Sequence, residues 1–138
     1  GRRLDYYIAQ EASLKLKEIT YIHSEALAAG ELKHGTLALI EKGTLVITLA
    51  TQKALLEKTI SNITECRVRG ARVLSVSFSN DAALEKESDW VWTIPETRPE
   101  FAPILAILPM QLFAYYVACA KGCDVDKPRN LAKSVTVE

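Results

Sequence analysis

Short apolar runs alternate with a helical segment in the middle of the sequence, and this alternation restricts the fold more than any other feature. Three runs have the composition of buried parallel strands: residues 45–49, 73–78 and 90–94. A helix from Thr51, its predicted N-cap, to about Arg69 separates the first two runs, and Gly70 follows its end. Residues 80–89 are polar, and we assign no helix or strand to them. Strand, helix and strand with short connections imply right-handed crossovers, so the sequence predicts an α/β fold with a parallel sheet.

A first helix is predicted from residue 4 to about residue 22, with Asp5 in its first turn. Apolar residues recur on one face of this helix at helical spacing, and Lys15 lies within the apolar stripe. Glu11 and Glu18, four residues before and three residues after Lys15, border the stripe. These three residues form either an exposed ladder of ion pairs or a partly buried lysine flanked by carboxylates. The second arrangement would mark a cleft, because a desolvated charge needs a partner.

A short segment between Gly30 and Gly35 ends in the sequence Lys-His-Gly. A histidine beside a glycine has room to move and to be approached by a ligand. His34 therefore suits acid–base chemistry as well as it suits an ordinary exposed position. The histidines and glutamates of this region have no spacing that is typical of a metal site, and we predict no metal.

Residues 101–121 form the most apolar stretch, with no charged residue before Lys121. Its length permits a transmembrane helix, but Pro103, Pro109 and Gln111 interrupt it within an otherwise soluble α/β pattern. We predict instead a helix that covers the sheet or forms a subunit interface. Pro109 is expected to kink this helix, and Gly122 to end it.

Composition restricts the partners and the compartment. Seventeen basic and seventeen acidic residues cancel, which argues against nucleic acid and against an anionic membrane surface. The chain has 138 residues and an odd number of cysteines, three, without a CxxC pair. That pattern favours one domain with free buried thiols in a reducing compartment. No signal peptide is predicted at Gly1, and the expected location is the cytoplasm.

The C-terminal residues 128–138 begin with a helix-stopping proline and continue with Arg129, Lys133 and Ser134. They show no helical apolar period, so this tail either extends into solvent or lies in a groove.

Three segments resemble one enzyme family: residues 13–25 (Ser-Leu-Lys-Leu-Lys-Glu-Ile-Thr-Tyr-Ile-His-Ser-Glu), 29–35 (Ala-Gly-Glu-Leu-Lys-His-Gly) and 124–138 (Asp-Val-Asp-Lys-Pro-Arg-Asn-Leu-Ala-Lys-Ser-Val-Thr-Val-Glu). They are similar to glutamine:fructose-6-phosphate aminotransferases, the glucosamine-6-phosphate synthases. The resemblance covers residues 1–138 as the second sugar-isomerase (SIS) subdomain, with 124–138 as a C-terminal active-site tail. It implies a flavodoxin-like, three-layer αβα sandwich whose first strand would lie upstream of Gly1. Without that strand, an apolar slot between helices is expected.

The resemblance also implies a reaction, in which glutamine-derived ammonia converts fructose 6-phosphate to glucosamine 6-phosphate. Lys133 would form a Schiff base with the open-chain ketose, and Glu18 would move a proton between C1 and C2. His34 would help to open the hexose ring from the neighbouring subunit of a homodimer. Supporting, sugar-binding positions match four residues: Glu11, Lys15, Arg129 and Ala132. No metal and no organic cofactor is implied.

Parts of the family's machinery are not in these 138 residues. The glutaminase domain and the Ser/Thr-rich phosphate loop of the first SIS subdomain would be partners from the parent chain, so the isolated fragment is expected to be inactive. Two alternatives stay open: a non-catalytic SIS module that binds a sugar phosphate for regulation, and a structural oligomerisation domain. The first alternative needs a phosphate loop of its own, for which only Ser75, Ser77 and Ser79 are candidates, and their alternation is more typical of a strand.

Overall fold

A computed structural model describes residues 1–131 of the chain. Seven regular elements follow one another along it: α1 (Leu4–Thr20), β1 (Leu45–Ala50), α2 (Leu56–Arg67), β2 (Arg72–Ser77), α3 (Ala82–Lys86), β3 (Trp90–Thr93) and α4 (Ala102–Ala120). Short 3₁₀ helices lie between them at Ala29–His34, Thr36–Leu39, Lys53–Leu55 and Pro99–Phe101. The three predicted strands and the three predicted helices, α1, α2 and α4, are therefore present.

The strands form one parallel sheet in the order β1-β2-β3. β1 pairs with β2 from Leu45 opposite Arg72 to Ala50 opposite Ser77. Side chains alternate between the two faces of the sheet, and each face has its own apolar cluster. The parallel sheet and the α/β class predicted from the sequence are confirmed.

Helices α1 and α4 cover one face of the sheet, where Ile8, Leu49, Val76 and Met110 are buried together. Helix α2 and the 3₁₀ helices before β1 cover the other face, where Ile63, Cys66 and Val73 are buried. The arrangement is the three-layer αβα sandwich expected from the resemblance.

Helix α1 ends two residues earlier than predicted. The Thr20 hydroxyl donates to the carbonyl oxygen of Leu16 (2.6 Å) and accepts from the N–H of Ile22 (3.1 Å), so it satisfies groups at the helix end. Tyr21 then takes a left-handed conformation with φ 61°, and its N–H donates to the carbonyl of Lys17. This is the usual way in which a helix ends, although glycine is the commoner residue there.

The sequence-based prediction for Thr51 is wrong. Helix α2 begins at Leu56, after a turn of 3₁₀ helix, and no side chain caps it. The N–H of Thr51 donates to the carboxylate of Asp5 at 3.0 Å, and its hydroxyl also donates to Asp5. A tertiary contact over 46 residues has taken the place of the predicted local cap.

Helix α3 lies within the polar residues 80–89, for which no helix was predicted from the sequence. The carboxylate of Asp81 accepts hydrogen bonds from the N–H groups of Ala83 (2.9 Å) and Leu84 (3.0 Å), which makes Asp81 the N-cap. Leu84 is fully buried and anchors the helix against the core. The prediction of buried thiols also needs correction, because only Cys66 of the three free cysteines is buried.

Helix α4 covers nearly the predicted range. Ala102, Ala106, Met110, Ala114 and Ala118 are buried along one face at a spacing of four residues. Gly122 follows the helix with φ 68°, and the N–H of Cys123 donates to the carbonyl of Ala118. By length and composition alone, Pro99–Ala120 could cross a membrane, but its alanine face packs against α1 and the sheet. It is therefore the sheet-covering helix predicted from the sequence.

Candidate functional site

Glu11, Lys15 and Glu18 lie on one face of α1, where Lys15 forms ion pairs with both carboxylates. Lys15 Nζ donates to Glu18 Oε2 at 2.9 Å and lies 3.5 Å from Glu11 Oε1. The hydrogen bond to Glu18, with the charges of both carboxylates, raises the pKa of Lys15 above its ordinary value. Lys15 therefore stays protonated at neutral pH.

The exposure of the three side chains lies between the two possibilities that the sequence left open. The side chain of Lys15 is 36% exposed, that of Glu18 28% and that of Glu11 45%. A fully solvated ladder would leave all three more exposed, whereas an enclosed cleft would bury them. The Lys15–Glu18 pair is thus half-buried at the surface of α1, where a second surface could close over it.

The C-terminal segment returns to the end of α1. Lys121 Nζ donates to the carbonyl oxygen of Thr20 at 2.7 Å. The backbone N–H of Arg129 donates to the hydroxyl of Tyr21 at 2.8 Å, and the guanidinium of Arg129 lies 4.1 Å from the centre of the Tyr21 ring. Arg129 is thereby brought to the same end of α1 as Glu18, although it lies 111 positions further along the chain (129 − 18).

Ala132 and Lys133 lie outside the described residues. The structure therefore has no bearing on the predicted approach of Lys133 to Glu18. The described part of the tail, residues 124–131, is shaped by the carboxylate of Asp124, which accepts hydrogen bonds from the N–H groups of Asp126 (2.9 Å) and Lys127 (3.0 Å).

His34 ends the 3₁₀ helix Ala29–His34 and is exposed, as predicted. Lys33 Nζ lies 2.7 Å from Glu65 Oε1, which ties this short helix to α2. Helix α2 covers the opposite face of the sheet from α1. His34 and Glu18 thus belong to elements on opposite faces of the sheet, and within residues 1–131 no hydrogen bond or ion pair joins them.

Asp5 is a buried carboxylate that sequence reasoning assigned only to a helix terminus. It is 1% exposed and accepts hydrogen bonds from Thr51, directly after the carboxyl end of β1. Burial raises the pKa of Asp5, and the hydrogen bonds from Thr51 act in the opposite direction. The sequence indicated only that Asp5 lies in the first turn of α1.

The position of Asp5 also sets the direction of α1. The helix begins at the carboxyl end of β1 and runs back along the sheet. Glu18 is thirteen residues after Asp5 and therefore lies about 20 Å from it along the helix axis. Open α/β sheets usually bind ligands beyond the carboxyl ends of their strands. Glu18, Lys15 and Arg129 lie at the other end of this sheet, and the sheet of this chain therefore does not enclose them.

An apolar cavity of about 680 Å³ lies between β1, α1, α4 and residues 22–27. Glu11, Lys15, Glu18, His34 and Arg129 are not among the described residues that line it. The cavity borders the edge of β1 that faces away from β2. The apolar slot expected from the sequence is present at this place, and the chemistry of its walls suits an apolar segment rather than a phosphorylated sugar.

Two of the three serines considered for a phosphate loop belong to the sheet. Ser75 and Ser77 are buried in β2. Ser75 Oγ lies 2.7 Å from Ser88 Oγ, and Ser77 Oγ donates to the carbonyl oxygen of Ala50. Both hydroxyls are thus engaged within the chain, which weakens the reading of the chain as a separate phosphate-binding module.

Comparison with known proteins places this arrangement in a family. The family model described as the SIS domain matches residues 1–121. Glutamine–fructose-6-phosphate aminotransferase (isomerizing) from Clostridium tetani is 61% identical over all 138 residues. The protein of the same description from Caldanaerobacter subterraneus subsp. tengcongensis is 62% identical over the same length. The chain spans 23% of the length of each of these relatives.

A solved structure shows the same fold. It is described as the C-terminal domain of glucosamine-fructose-6-phosphate aminotransferase from Francisella tularensis and matches with a TM-score of 0.83 at 41% identity. The match covers 92% of this chain and 36% of that chain.

Proposed function

This chain belongs to the SIS domain family, and on that premise we propose that it is the second SIS subdomain of a glutamine–fructose-6-phosphate aminotransferase. The enzyme would convert fructose 6-phosphate and glutamine-derived ammonia to glucosamine 6-phosphate, in amino-sugar biosynthesis. The observation that carries the proposal is the similarity at 61–62% identity along the whole chain. Residues 124–138 are proposed as the C-terminal active-site tail.

Each proposed role fits the chemistry of its side chain. A lysine amine is a suitable nucleophile for a carbonyl once it is neutral, and we assign the Schiff base with the ketose to Lys133. A carboxylate can transfer a proton between neighbouring carbons, and we assign the step between C1 and C2 to Glu18. The hydrogen bond from Lys15 to Glu18 supports this role, because it fixes the direction of the Glu18 carboxylate.

Sugar binding is assigned to Glu11, Lys15, Arg129 and Ala132. The half-buried ion pairs of Lys15 and the return of Arg129 to α1 support this assignment for three of the four residues. Ala132 is assigned from the family resemblance alone.

We assign the opening of the hexose ring to His34 of a second subunit in a homodimer. Two observations support an arrangement with more than one copy. The 3₁₀ helix that ends at His34 is tied to α2, on the opposite face of the sheet from α1, and Glu18 lies at the surface at the amino end of the sheet. The glutaminase domain and the first SIS subdomain of the parent chain would complete the enzyme. Free cysteines at positions 66, 119 and 123 support a reducing, cytoplasmic location.

The test uses the complete parent enzyme with Lys133→Ala. We expect this variant to make no measurable glucosamine 6-phosphate, because the Schiff base cannot form, while glutamine hydrolysis partly survives. Lys127→Ala is the matched control, since Lys127 is an exposed lysine of the same tail. Product formation by Lys133→Ala at a near-normal rate would show that the Schiff-base role is wrong. The isolated chain should make no product and should bind fructose 6-phosphate weakly.

A further inference from the structure

Tyr21 makes two different contacts with one residue of the C-terminal segment. Its hydroxyl accepts the backbone N–H of Arg129 at 2.8 Å, and its ring faces the guanidinium of Arg129 at 4.1 Å. A single exposed cation–π contact is weak. Here the hydrogen bond fixes the backbone and the ring fixes the side chain, so the two contacts together define both the position and the orientation of Arg129.

The backbone of Tyr21 is held in an uncommon conformation. Its φ of 61° lies in the left-handed region, which tyrosine seldom adopts. The conformation is maintained by the hydrogen bond from Tyr21 N–H to Lys17 and by the bonds of the Thr20 hydroxyl. Because the helix ends in this way, the Tyr21 ring leaves α1 in the direction from which the C-terminal segment approaches.

We propose that Tyr21 is a positioning residue that holds the chain at Arg129 against the end of α1, so that Lys133, four residues further along, can reach Glu18. The inference rests on the proposed roles of these last two residues. Glu18 precedes Tyr21 by three residues, or about 4.5 Å along the helix axis. Lys133 follows Arg129 by four residues, whose backbone extends at most about 14 Å.

Without this contact, the attachment of the C-terminal segment to α1 would lie further from Lys133 along the chain. The last attachment before Arg129 that involves α1 is the hydrogen bond from Lys121 to Thr20. From Lys121 to Lys133, twelve residues extend at most about 40 Å, and less where the turn at Asp124 shortens the path. The Tyr21 contact places an attachment to α1 four residues before Lys133 instead of twelve, and a closer attachment raises the local concentration of the Lys133 amine at Glu18.

The experiment compares Tyr21→Phe, Tyr21→Leu and Tyr7→Phe in the complete parent enzyme. Tyr21→Phe removes the acceptor of the Arg129 N–H, and Tyr21→Leu removes the ring as well. Tyr7 is 66% exposed on the same helix, and its hydroxyl serves as the matched control. Three quantities are measured: kcat and KM for fructose 6-phosphate, deuterium exchange in a peptide that covers residues 123–131, and borohydride trapping of the sugar on Lys133.

We expect kcat for sugar conversion to fall about tenfold in Tyr21→Phe and about 100-fold in Tyr21→Leu, with KM changed much less. In the same order of variants, deuterium exchange in the peptide should become faster and borohydride trapping slower. The rate of glutamine hydrolysis should not change in either Tyr21 variant, and Tyr7→Phe should match the wild type in every measurement. A Tyr21→Leu enzyme with unchanged kcat and trapping, or with unchanged exchange, would overturn the positioning role alone. A wild-type enzyme that traps no sugar on Lys133 would overturn the proposed function and this inference with it.

Discussion

Asp5 joins the start of the first helix to the end of the first strand. Its carboxylate accepts two hydrogen bonds from Thr51 and is almost completely removed from solvent. A buried carboxylate is costly unless its oxygens are bonded, and here the backbone N–H and the hydroxyl of one residue satisfy it. The contact fixes α1 relative to the sheet, and with α1 it fixes the positions of Lys15 and Glu18.

The pKa of Asp5 predicts how stability depends on pH. Burial raises this pKa in the folded chain above the value of about 4 for an unfolded aspartate. Between these two values the folded state binds more protons, so its stability decreases as pH rises through the window and is constant above it. In Asp5→Asn this contribution is absent. We expect the free energy of unfolding of the wild type, relative to Asp5→Asn, to increase as the pH is lowered from 7 towards 4.

Urea denaturation of the parent enzyme's SIS part at several pH values measures this difference. Asp124→Asn is the control, because Asp124 is exposed and bonded only within its own turn. A constant difference between wild type and Asp5→Asn from pH 7 to pH 4 would contradict the raised pKa.

At the scale of individual residues, the sequence predicted contacts within one helix and missed contacts between segments that are distant in the chain. The spacing of Glu11, Lys15 and Glu18 was enough to predict their ion pairs, because helix geometry alone brings such residues together. Tyr21 and Arg129 are 108 positions apart, and no local pattern distinguishes Tyr21 from the other tyrosines. Thr51 has the side chain of an N-cap, and its use by Asp5 depends on the packing of α1.

Helix α4 is positioned by small side chains. Ala102, Ala106 and Ala118 have no exposed surface, and Ala114 is 1% exposed. The opposite face carries large apolar residues that are half exposed, among them Ile104, Leu108 and Leu112. Large side chains on the outside and small ones inside let α4 approach α1 and the sheet closely.

This close approach predicts that Ala106→Leu destabilises the protein. Ala106 lies in the cluster with Ile8, Val76 and Met110, where a leucine has no room without displacing α1 or the sheet. Overpacking of this kind costs about 1–3 kcal/mol. Ala120→Leu is the matched control, because Ala120 lies on the same helix and is exposed. Chemical denaturation measures both variants, and equal stability of the two would contradict the close packing of α4.

The regular elements that a local pattern specifies were predicted well. Each strand is a short apolar run, and the two long helices have apolar residues and end signals at the expected places. Helix α3 was missed because five residues are too few to show a helical apolar period. The signal that could have found it is Asp81, which has the side chain of an N-cap two residues before Ala83.

On the scale of the whole molecule, two unpartnered surfaces of the described chain favour its association. One is the free edge of β1 beside the apolar cavity of about 680 Å³. The carbonyl oxygen of Thr44 accepts from Arg72 of the neighbouring strand. By the alternation of a parallel ladder, the backbone groups of Leu45, Ile47 and Leu49 therefore point away from β2. The other surface is the outer face of α4.

Both surfaces lower the stability of the isolated chain as a monomer. An unpaired backbone group that is shielded from water costs about 1–3 kcal/mol, which is large beside a total stability of about 5–15 kcal/mol. Free strand edges also pair readily with other chains, and an exposed apolar patch favours association. We therefore expect the isolated 138-residue chain to self-associate.

Sedimentation equilibrium of the isolated chain at micromolar concentration tests this expectation. Leu108→Glu with Leu112→Glu places two charges on the outer face of α4, and this variant should associate less if that face contributes to the contact. Val68→Glu is the matched control, because Val68 is 74% exposed and lies just beyond α2 on the other side of the sheet. Association should remain unchanged in Val68→Glu. A compact monomer that melts cooperatively would contradict the expectation. It would mean that the free edge of β1 and the outer face of α4 lower the stability of the monomer less than their unpaired groups and exposed area imply.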